Sequence, residues 1–401
     1  MLSDAQSIMC PVSDLDPFSI DFLSDSERYH RELRELGAVV RLSRYGIYVF
    51  TRHAEVHAAL LDGAIFCSSR GIGLADFKKE TPWRPPSVIN EVDAPEHART
   101  RGILARVLSR PALEKLRASF AASAALVVDE ALALGELDGI KDFSEKFPLR
   151  VIPDAVGLLP EGRENLLPYG DLVFNSMGPR NALYEQSRKN AEKVVGWIVH
   201  QCRRESLSST GFGARIYEEA DSGIITEEEA GMLVRSILSA GLDTTIFGLG
   251  HMLRGLAANP EQWQTLRQNP ALMRAAWDEA VRYGSTVQAI FRTTTQEVDV
   301  AGVRIGEGEK ILLLLASANR DPLKFENPDR FDITRKVAGH VGFGFGSHMC
   351  VGQMLSRLEA DVILAELIEK VERIEAIGEP VWRLNNTLRG LGSLPLRMTA
   401  A

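Results

Sequence analysis

The stretch Gly342–Gly352, which reads GFGFGSHMCVG, constrains the fold more than any other part of the chain. Its glycines allow positive φ angles and a close approach of the backbone to another group. The residues that follow, Gln353–Arg373, are apolar at helical spacing and contain neither proline nor glycine. Cys350 therefore precedes a predicted helix, whose unpaired N–H groups favour a thiolate over a thiol. Such a loop is suited to hold heme iron by one axial sulfur.

The same stretch resembles the heme-binding loop of cytochromes P450, whose pattern is F-G-x-G-x-H-x-C-x-G. All the fixed positions of that pattern are present, namely Phe343, Gly344, Gly346, His348, Cys350 and Gly352. The alternative interpretation is a glycine-rich turn around a buried structural cysteine. The resemblance implies heme b (iron protoporphyrin IX) as the cofactor. Cys350 is then the metal ligand, and the heme is bound around it by Phe343, Gly344, His348 and Gly352.

The length and composition of the chain are those of a globular protein with a large core. It has 401 residues, of which 45% are hydrophobic, and its formal net charge is −8. No linker rich in proline, serine or glycine divides it, and no repeat is visible. We therefore expect a single domain over residues 1–401, with an irregular N-terminal segment over 1–15. The negative charge argues against nucleic acid as a partner.

The N-terminal residues and the cysteines indicate a cellular setting. The N-terminus, MLSDAQSIMCPVSDLDPF, has neither a basic region nor a continuous apolar run, so it is unlike a signal peptide. No run of about 18 uninterrupted apolar residues is available to span a membrane. The four cysteines are scattered, which predicts three free thiols and one ligand in a reducing compartment. We expect a soluble, cytoplasmic protein of bacterial type with no membrane partner.

The hydrophobic patterns predict a mainly α fold with a small β portion. The P450 resemblance covers the chain from about Asp16 to its end, and it implies the cytochrome P450 fold. In that fold the heme lies between a long central helix and the Cys350 loop. The predicted segments are a helix over 24–36, a β-hairpin turning at 45–46, a long loop over 69–95, helices over 164–177 and 183–206, and a second β region over 296–315, with most other segments helical in pattern.

A long central helix is predicted to begin after Thr226, because Thr226 and Glu229 form a capping box. It extends to about Ala257, so its ~32 residues span roughly 48 Å. The helix is apolar nearly all round, which predicts that it is buried.

This helix contains the sequence AGLDTT at Ala240–Thr245, which matches the oxygen-activation motif A-G-x-D-T-T of cytochromes P450. Gly241 and a threonine hydroxyl bonded to a carbonyl of the preceding turn are expected to loosen the helix there. The resemblance implies that Thr244 donates a hydrogen bond to dioxygen. It also implies that Asp243 relays protons from solvent.

Three basic residues resemble the groups that bind the heme propionates in cytochromes P450. His97 and Arg101 are four residues apart, so they share one face of a predicted helix. The H-x-x-x-R spacing at this place in the chain is typical of propionate ligands, although an ordinary surface pair has the same spacing. The resemblance adds Arg292 as a further propionate ligand.

Glu279 and Arg282 form an E-x-x-R pair on a predicted helix, about 70 residues before Cys350. In cytochromes P450 this pair is part of a buried charge network that fixes the loop behind the heme. Its usual third partner is an arginine in a loop upstream of the heme, and Arg330 fits that place.

Arg235 and Ser236 stand within the apolar central helix, and a buried arginine must find an anion or reach water. Arg235 can form an internal salt bridge or bind an anionic ligand. Stretches such as LVRSILSAGLDTT and NNTLRGLGSLP resemble a bacterial P450 subfamily that oxidises para-substituted benzoic acids. In that subfamily the positions matching Arg84, Ser87 and Ser236 hold the substrate carboxylate. The remaining pocket positions implied by the resemblance are Asn90, Val173, Phe174, Met177, Ala240, Val287 and Ile290.

Three of these pocket positions depart from the pattern of the subfamily, namely Asn90, Met177 and Ile290. A polar Asn90 favours a para hydroxyl over a para methoxy group, so the preferred para substituent stays open. Phe174 and Met177 could also belong to the core rather than to the pocket.

The predicted function is a heme-thiolate monooxygenase that inserts one oxygen atom from O2 into a para-substituted benzoic acid, by hydroxylation or O-demethylation. A [2Fe–2S] ferredoxin with an NADH-dependent reductase is the implied electron source, and a monomer is expected. Arg99, Arg106 and Arg357 are candidate contacts for an acidic redox partner. The alternatives are a P450 for a neutral terpenoid or fatty substrate, a peroxygenase that uses hydrogen peroxide, and a heme-thiolate gas sensor.

Overall fold

The structure is a computed structural model that describes residues 9–401, so the predictions for residues 1–8 lie outside the described residues. Its element content confirms the mainly α fold with a small β portion. The α-helices are α1 (Ile20–Ser24), α2 (Ser26–Leu36), α3 (His53–Leu61), α4 (Glu96–Val107), α5 (Arg110–Glu114), α6 (Arg117–Leu134), α7 (Lys146–Val156), α8 (Leu166–Asn175), α9 (Ala182–Ser187), α10 (Ala191–Gln201), α11 (Phe212–Asp221), α12 (Glu227–Ala258), α13 (Pro260–Gln268), α14 (Met273–Gly284), α15 (Leu315–Ala318) and α16 (Gln353–Lys370). The strands are β1 (Val12–Ser13), β2 (Val39–Leu42), β3 (Ile47–Phe50), β4 (Phe66–Cys67), β5 (Glu136–Asp138), β6 (Ile290–Thr294), β7 (Val298–Val300), β8 (Val303–Ile305), β9 (Lys310–Leu313), β10 (Val371–Ala376), β11 (Val381–Leu384), β12 (Arg389–Ser393) and β13 (Pro395–Ala400).

Helix α12 is the central element, and its predicted start is confirmed. The Thr226 hydroxyl accepts from the Glu229 N–H at 3.1 Å, and the Glu229 carboxylate accepts from the Thr226 N–H at 2.8 Å. The helix packs against α7, α8, α11 and α14. By length and composition it could cross a membrane, but most of its apolar stretch is buried inside the protein. Its apolar surface is therefore used for packing against other helices.

The largest sheet has its strands in the order β1-β2-β3-β9-β6-β4. The predicted hairpin is present, because β2 and β3 are antiparallel with Val39 opposite Phe50 and Leu42 opposite Ile47. Gly46 in its turn has a φ of 64°, a conformation that glycine adopts without strain. Strand β6 lies in the interior of this sheet, so the sheet fixes the positions of the two candidate residues that β6 carries, Ile290 and Arg292.

Several predicted boundaries were wrong. The helix after the cysteine loop ends at Lys370, and the C-terminal strands, which the pattern analysis assigned to helix, begin at once. Strand β10 buries Val371 and Ile374 and pairs with β13, which places Ile374 opposite Met398. The segment 183–206 forms two helices, α9 and α10, rather than one. Strand β1 lies within the segment that we expected to be irregular.

The segment between β4 and α4 contains no regular element in the described chain, which confirms the predicted long loop at 69–95. Buried charges attach its first part to the main sheet. The Lys310 ammonium donates to the carbonyl oxygens of Arg70 and Gly71 at 3.1 and 2.7 Å. The Arg70 guanidinium is paired with the Asp76 carboxylate. The loop therefore has a fixed position beside β9.

Candidate active site

Cys350 lies at the end of a tight backbone turn in front of α16. Gly344 and Gly346 have φ angles of 68° and 70°. A Cβ on Gly346 would lie 2.5 Å from the Leu60 carbonyl oxygen, so only glycine fits there. The Cys350 N–H donates to the Phe343 carbonyl oxygen at 2.8 Å. The loop and α3 together hold the cysteine in one place.

The electrostatics of Cys350 differ from the simple expectation for a helix start. Its side chain keeps exposed surface, yet enough protein surrounds the sulfur for burial to raise the pKa of the thiol. The backbone N–H groups of Gly352 and Gln353 and the charge of Arg101 lower the pKa, but they do not outweigh burial. The backbone N–H groups at the helix start therefore favour the thiolate, as predicted, but burial opposes them. Heme iron held at this position would supply positive charge that favours the thiolate.

The candidate propionate ligands lie together on the side of α4 and β6. The rings of His97 and His348 have centroids 3.9 Å apart, and Arg101 is close enough to Cys350 to interact with its charge. Arg292 is 4% exposed and donates to the Phe291 carbonyl oxygen at 2.8 Å. The four residues come from three separated segments, as the P450 resemblance implied.

This cluster carries more positive than negative charge. Burial lowers the pKa of Arg292 to about 10, and the nearest carboxylate, Asp93, accepts hydrogen bonds from Ser68 and Ser69 N–H groups. The buried Nε2 of His97 has no hydrogen-bond partner among residues 9–401. Buried cations and donors without partners fit a ligand that brings two carboxylates, as heme b does.

One face of α12 is not covered by protein side chains. Ser236, Ala240 and Thr244, which are four residues apart, keep exposed or partly exposed surface. Leu238 and Leu242 on the other faces are 1% and 0% exposed. We call the first set the open face of α12, and the space beside it the inner pocket.

Thr244 and Asp243 both lie in the motif stretch of α12, but their environments differ. The Thr244 hydroxyl donates to the Ala240 carbonyl oxygen at 2.6 Å, as predicted, while the helix continues without interruption. Asp243 is 3% exposed, and its Oδ2 has no hydrogen-bond partner in the described part of the chain. Burial raises the pKa of Asp243 to about 7, although the charge of Arg383 opposes the shift. This carboxyl can exchange a proton near neutral pH.

The position of Asp243 depends on a glycine in the neighbouring helix. A Cβ on Gly170 of α8 would lie 1.8 Å from Asp243 Oδ2, so α8 can approach only because that residue lacks a side chain. Arg383 is paired with Asp171 of α8 at 3.4 Å. Helix α8 therefore covers the Asp243 carboxyl.

A second buried carboxyl links α12 to α16, and the sequence analysis missed it. Glu359 is 1% exposed and accepts from the Thr245 hydroxyl at 3.4 Å. Burial raises the pKa of Glu359 well above its ordinary value, so burial favours the neutral form of this carboxyl. The sequence signal that could have indicated this residue is a glutamate within the apolar stretch of α16.

The E-x-x-R pair forms the expected buried network, but its third member was predicted wrongly. Arg282 and Glu279 are 0% exposed, with Nε–Oε2 and Nη2–Oε1 distances of 2.7 and 2.8 Å. The Nε of Arg335 lies 3.3 Å from Glu279 Oε1. The Arg330 side chain is exposed, and only its carbonyl oxygen accepts from Arg282, at 3.4 Å. The turn after Arg330 directs the later arginine inward.

The predicted carboxylate clamp is assembled differently from the expectation. The Arg84 guanidinium is paired with Glu91, with Nη1–Oε2 and Nη2–Oε1 distances of 3.0 and 3.4 Å. Glu91 also accepts from the Ser87 N–H at 2.7 Å. The Ser87 hydroxyl accepts from the Asn90 N–H at 3.2 Å, and the Ser236 hydroxyl donates to the Met232 carbonyl oxygen at 2.8 Å. To bind a ligand carboxylate, Arg84, Ser87 and Ser236 must therefore add it to their existing hydrogen-bond partners or exchange those partners for it.

Arg235 is the positive charge of this region that has no carboxylate partner among residues 9–401. The alternative of an internal salt bridge is therefore wrong. Tyr169 of α8, which the sequence analysis missed, is 3% exposed and lies within reach of the charges of both Arg235 and Arg84. Burial raises the pKa of Tyr169, so its hydroxyl keeps its proton and can donate a hydrogen bond.

The apolar candidates divide between pocket and core. Phe174 is 7% exposed and packs in a cluster with Ile246, Phe247 and Leu388, with Met177 and Val287 against its edge. Phe174 therefore serves the core as well as the inner pocket. Val173 is buried on α8, Ile290 is partly buried at the start of β6, and Asn90 is exposed.

Amide side chains hold the end of α8 and the following turn in place. The Asn386 Nδ2 donates to the Asn175 carbonyl oxygen at 2.9 Å, and the Asn386 N–H donates to Asn175 Oδ1 at 3.0 Å. The Thr387 hydroxyl donates to the Phe174 carbonyl oxygen at 2.8 Å. These bonds join the end of α8 and the following turn, which we call the roof of the inner pocket, to the segment before β12.

The arginines proposed for a redox partner are already paired. Arg99 is bonded to Glu229 at 2.5 Å, and Arg106 to Glu219 at 2.7 Å. Arg357 Nε lies 3.1 Å from Asp278 Oδ1. Their charges are balanced within the chain, so they do not form the positive patch that we expected.

Comparisons with known proteins identify the family of the chain. The sequence profile of the family described as Cytochrome P450 matches residues 177–395. The chain is 52% identical to "Cytochrome p450 CYP199A2" of Rhodopseudomonas palustris over 98% of this chain and 95% of that protein. It is 31% identical to "Cytochrome P450 107B1" of Saccharopolyspora erythraea over 96% of this chain and 98% of that protein.

Solved structures share the fold over nearly the whole chain. The cytochrome P450 CREJ in complex with (4-ethylphenyl) dihydrogen phosphate has a TM-score of 0.87 and 26% identity, covering 96% of this chain and 99% of its own. The P450 CYP109Q5 from Chondromyces apiculatus has a TM-score of 0.81 and 30% identity, covering 97% of this chain and 99% of its own.

Proposed function

The chain belongs to the cytochrome P450 family, and from that premise we propose that it oxidises small aromatic carboxylic acids at their para substituent. It is a cytochrome P450 monooxygenase, and its cofactor is heme b. The net reaction of such an enzyme converts RH, O2, two electrons and two protons into ROH and water. The proposal concerns the substrate class and the roles of individual residues.

The observation that carries the proposal is the unpaired positive charge of Arg235 beside the open face of α12. A guanidinium in an apolar helix requires an anion or water. Tyr169 lies within reach of the charges of both Arg235 and Arg84, and Tyr169 and Arg84 have hydrogen-bond donors of their own. A carboxylate is the anion that a planar guanidinium and a hydroxyl together bind well.

The open face relates this anion site to the candidate oxygen-activation residues. Ser236 and Thr244 are two helical turns apart, which is roughly 12 Å along the helix axis. A ligand held by its carboxylate near Ser236 extends along the open face toward Thr244. A para substituent is then the part of the ring nearest to the reacting position, which accounts for a preference for para-substituted acids.

The chain's own residues bind the cofactor and move protons. We assign Cys350 as the thiolate ligand and His97, Arg101 and Arg292 to the propionates, and heme bound there supplies the activation of O2. Asp243, with a pKa near 7, passes a proton from solvent to the inner pocket.

The Thr244 hydroxyl holds that proton at the reacting position, at the end of the open face. Its oxygen accepts the proton while its own hydrogen is given up, so the residue returns unchanged. The intact Asp243–Thr244 pair supports reaction with O2 rather than with hydrogen peroxide.

One relative supports an anionic, para-substituted aromatic ligand. The P450 CREJ was solved with (4-ethylphenyl) dihydrogen phosphate, which combines an anion with a para alkyl group on a benzene ring. We further propose that a [2Fe–2S] ferredoxin with an NADH-dependent reductase supplies the electrons, and that the protein acts as a monomer in the cytoplasm. It has no nucleic acid or membrane partner in this proposal.

Turnover in a reconstituted system tests the proposal. The enzyme, a [2Fe–2S] ferredoxin and its reductase are supplied with NADH and with 4-methoxybenzoic acid, 4-methylbenzoic acid or the methyl ester of the first. We expect the methoxy acid to give formaldehyde and 4-hydroxybenzoic acid in proportion to NADH consumed, and the ester to give little product. Faster turnover of the ester, or of terpenoids, would instead support the neutral-substrate alternative. Product formation with hydrogen peroxide alone, at the rate with NADH, would support a peroxygenase.

A further inference from the structure

A second cavity, of about 270 Å³, lies between the 69–95 loop and the turn that follows α8. We call it the outer cavity. Its wall contains Phe77, Trp83, Arg84, Met177, Arg180 and Tyr184. The volume is sufficient for one small aromatic molecule, since binding cavities for such ligands begin at about this size.

Two hydrogen bonds close the floor of the outer cavity. The Leu74 N–H donates to the Met177 carbonyl oxygen at 2.8 Å. The Trp83 indole N–H donates to the Ser176 hydroxyl at 2.9 Å. Both bonds join the 69–95 loop to the roof of the inner pocket. The cavity is therefore a built feature of the fold, with its indole ring fixed in one orientation.

Among residues 9–401, the lining of the outer cavity combines flat apolar surfaces, a cation without a carboxylate partner and the exposed carboxylate of Glu80. Phe77, Trp83 and Tyr184 supply aromatic rings, and Trp83 is 39% exposed. Arg180 is exposed, and no carboxylate in the described ranges is paired with it. Aromatic rings favour stacking with a planar ring, and a guanidinium favours a carboxylate. The chemistry suits an aromatic carboxylate.

The ion pair between Arg84 and Glu91 lies between the two spaces. Both residues line the outer cavity, and Arg84 is also within reach of Tyr169, beside Arg235. A guanidinium has five N–H donors. Glu91 and the Pro85 carbonyl oxygen occupy three of them, at distances of 3.0 to 3.4 Å. Arg84 can therefore donate to a passing carboxylate while it stays paired with Glu91.

We propose that the outer cavity is a second binding site for the aromatic acid, which is occupied before the acid passes Arg84 into the inner pocket. Arg180 binds the carboxylate there, and Trp83 and Tyr184 contact the ring. This inference rests on the proposed function, because it assumes that the ligand is an aromatic acid. Binding is then a two-step process, in which the first step fills the outer cavity and the second fills the inner pocket.

Rapid mixing of the ferric holoprotein with 4-methoxybenzoic acid tests the two steps. The change in heme absorbance reports the arrival of the acid in the inner pocket, and it is recorded over a wide range of acid concentrations. We expect the observed rate to saturate, with a half-saturation concentration that reports binding in the outer cavity. Arg180→Gln should raise that concentration roughly 3- to 10-fold, which is the effect of one partly exposed charge-assisted hydrogen bond. The equilibrium affinity of the inner pocket should stay unchanged, because in this proposal Arg180 contacts the acid only in the outer cavity.

The control variant is Arg203→Gln, which removes an equally exposed arginine from another part of the surface and should change nothing. An observed rate that rises linearly with acid concentration would overturn the outer site. So would a half-saturation concentration that is the same in Arg180→Gln and wild type. If no aromatic acid changes the heme absorbance at all, the proposed function itself fails, which is a different result.

Discussion

The cysteine side of the site comprises the loop at Gly342–Gly352 and the network of Glu279, Arg282 and Arg335. The substrate side comprises α8, α12 and the 69–95 loop. The two sides differ in whether their charged side chains are paired within the protein. On the cysteine side, Glu279 and Arg282 are 0% exposed and bond to each other and to Arg335, so the network is closed. On the substrate side, Arg235 and Arg180 have no carboxylate partner among residues 9–401. A closed network fixes structure, whereas an unpaired charge is available for a ligand. The difference separates a network that fixes the fold from charges that are available to a ligand.

The two sides also differ in how far apart along the chain their contacting residues lie. On the cysteine side, the loop at Gly342–Gly352 and the i, i+3 pair of Glu279 and Arg282 each join residues that are close in sequence. The substrate side combines α8, α12 and the 69–95 loop, which are distant in the chain. Substitutions on the first side should therefore remove folding or cofactor binding, and those on the second should change selectivity.

The largest effect is expected for Cys350→Ala on the cysteine side. The variant lacks the proposed thiolate ligand, so its reduced carbon monoxide complex should lose the absorbance band that is characteristic of the P450 family. Turnover should fall to background. Cys10→Ala, which changes a partly buried cysteine elsewhere, should keep both. A Cys350→Ala protein that retains the band would refute the ligand assignment.

Glu279→Ala should be the next most severe change, because it leaves Arg282 buried and unpaired. Breaking a buried pair in this way destabilises a protein by about 3–5 kcal/mol. Thermal unfolding of the holoprotein measures the loss. Arg335→Gln should have a smaller but clear effect, and Arg330→Gln should have almost none, since that side chain is exposed. Equal losses in the two arginine variants would contradict the network described here.

Asp243→Asn tests a residue that lies between the two sides. The pKa of Asp243 is about 7 in the folded protein and about 3.9 in an unfolded chain, so the folded state binds more protons between these values. Its contribution to stability is present below about pH 3.9 and is lost as the pH rises to 7.

Asp243→Asn should remove this loss, so above pH 7 the variant should be more stable, by at most about 4 kcal/mol. Its turnover should fall, because the substituted amide does not exchange a proton. Unfolding measured from pH 5 to 9, together with rates of NADH-coupled product formation, checks both effects. A variant that is less stable than wild type at pH 8 would contradict the buried, partly protonated state.

Glu91→Gln should give the smallest effect of these variants. Unlike the other changes, it should strengthen the binding of the acid. The change keeps the shape of the side chain but removes the negative charge that balances Arg84. Aromatic acids should bind up to about 10-fold more tightly, and their neutral esters should be unaffected. Equilibrium titration of the ferric protein with an acid and its ester measures the change. Weaker binding of the acid would mean that Glu91 mainly positions Arg84.

The sequence predicted most of the cysteine side because its signals are local. The glycine and cysteine spacing, the four-residue spacing of His97 and Arg101, and the capping box at Thr226 each report a nearby geometry. Arg335 was missed because a motif does not indicate which of two arginines in an irregular turn points inward. The C-terminal strands were missed because their partners lie far away in the chain.

The substrate side was less predictable for a related reason. Glu91 is seven residues from Arg84 in a loop of irregular structure, so no periodicity joins them. Tyr169 reaches Arg235 only through the packing of α8 on α12. The free charge of Arg235 could be suspected from the apolar helix around it, but only the fold excludes a carboxylate partner.

The most direct test of the account is an equilibrium absorbance titration of the ferric protein with 4-methoxybenzoic acid and with its methyl ester. A charged hydrogen bond contributes about 1.5–3 kcal/mol, so the acid should bind roughly 10- to 150-fold more tightly than the ester. Arg235→Gln should bring the acid close to the ester while leaving the ester unchanged. Equal binding of acid and ester to the wild-type protein would contradict the proposed recognition of a carboxylate.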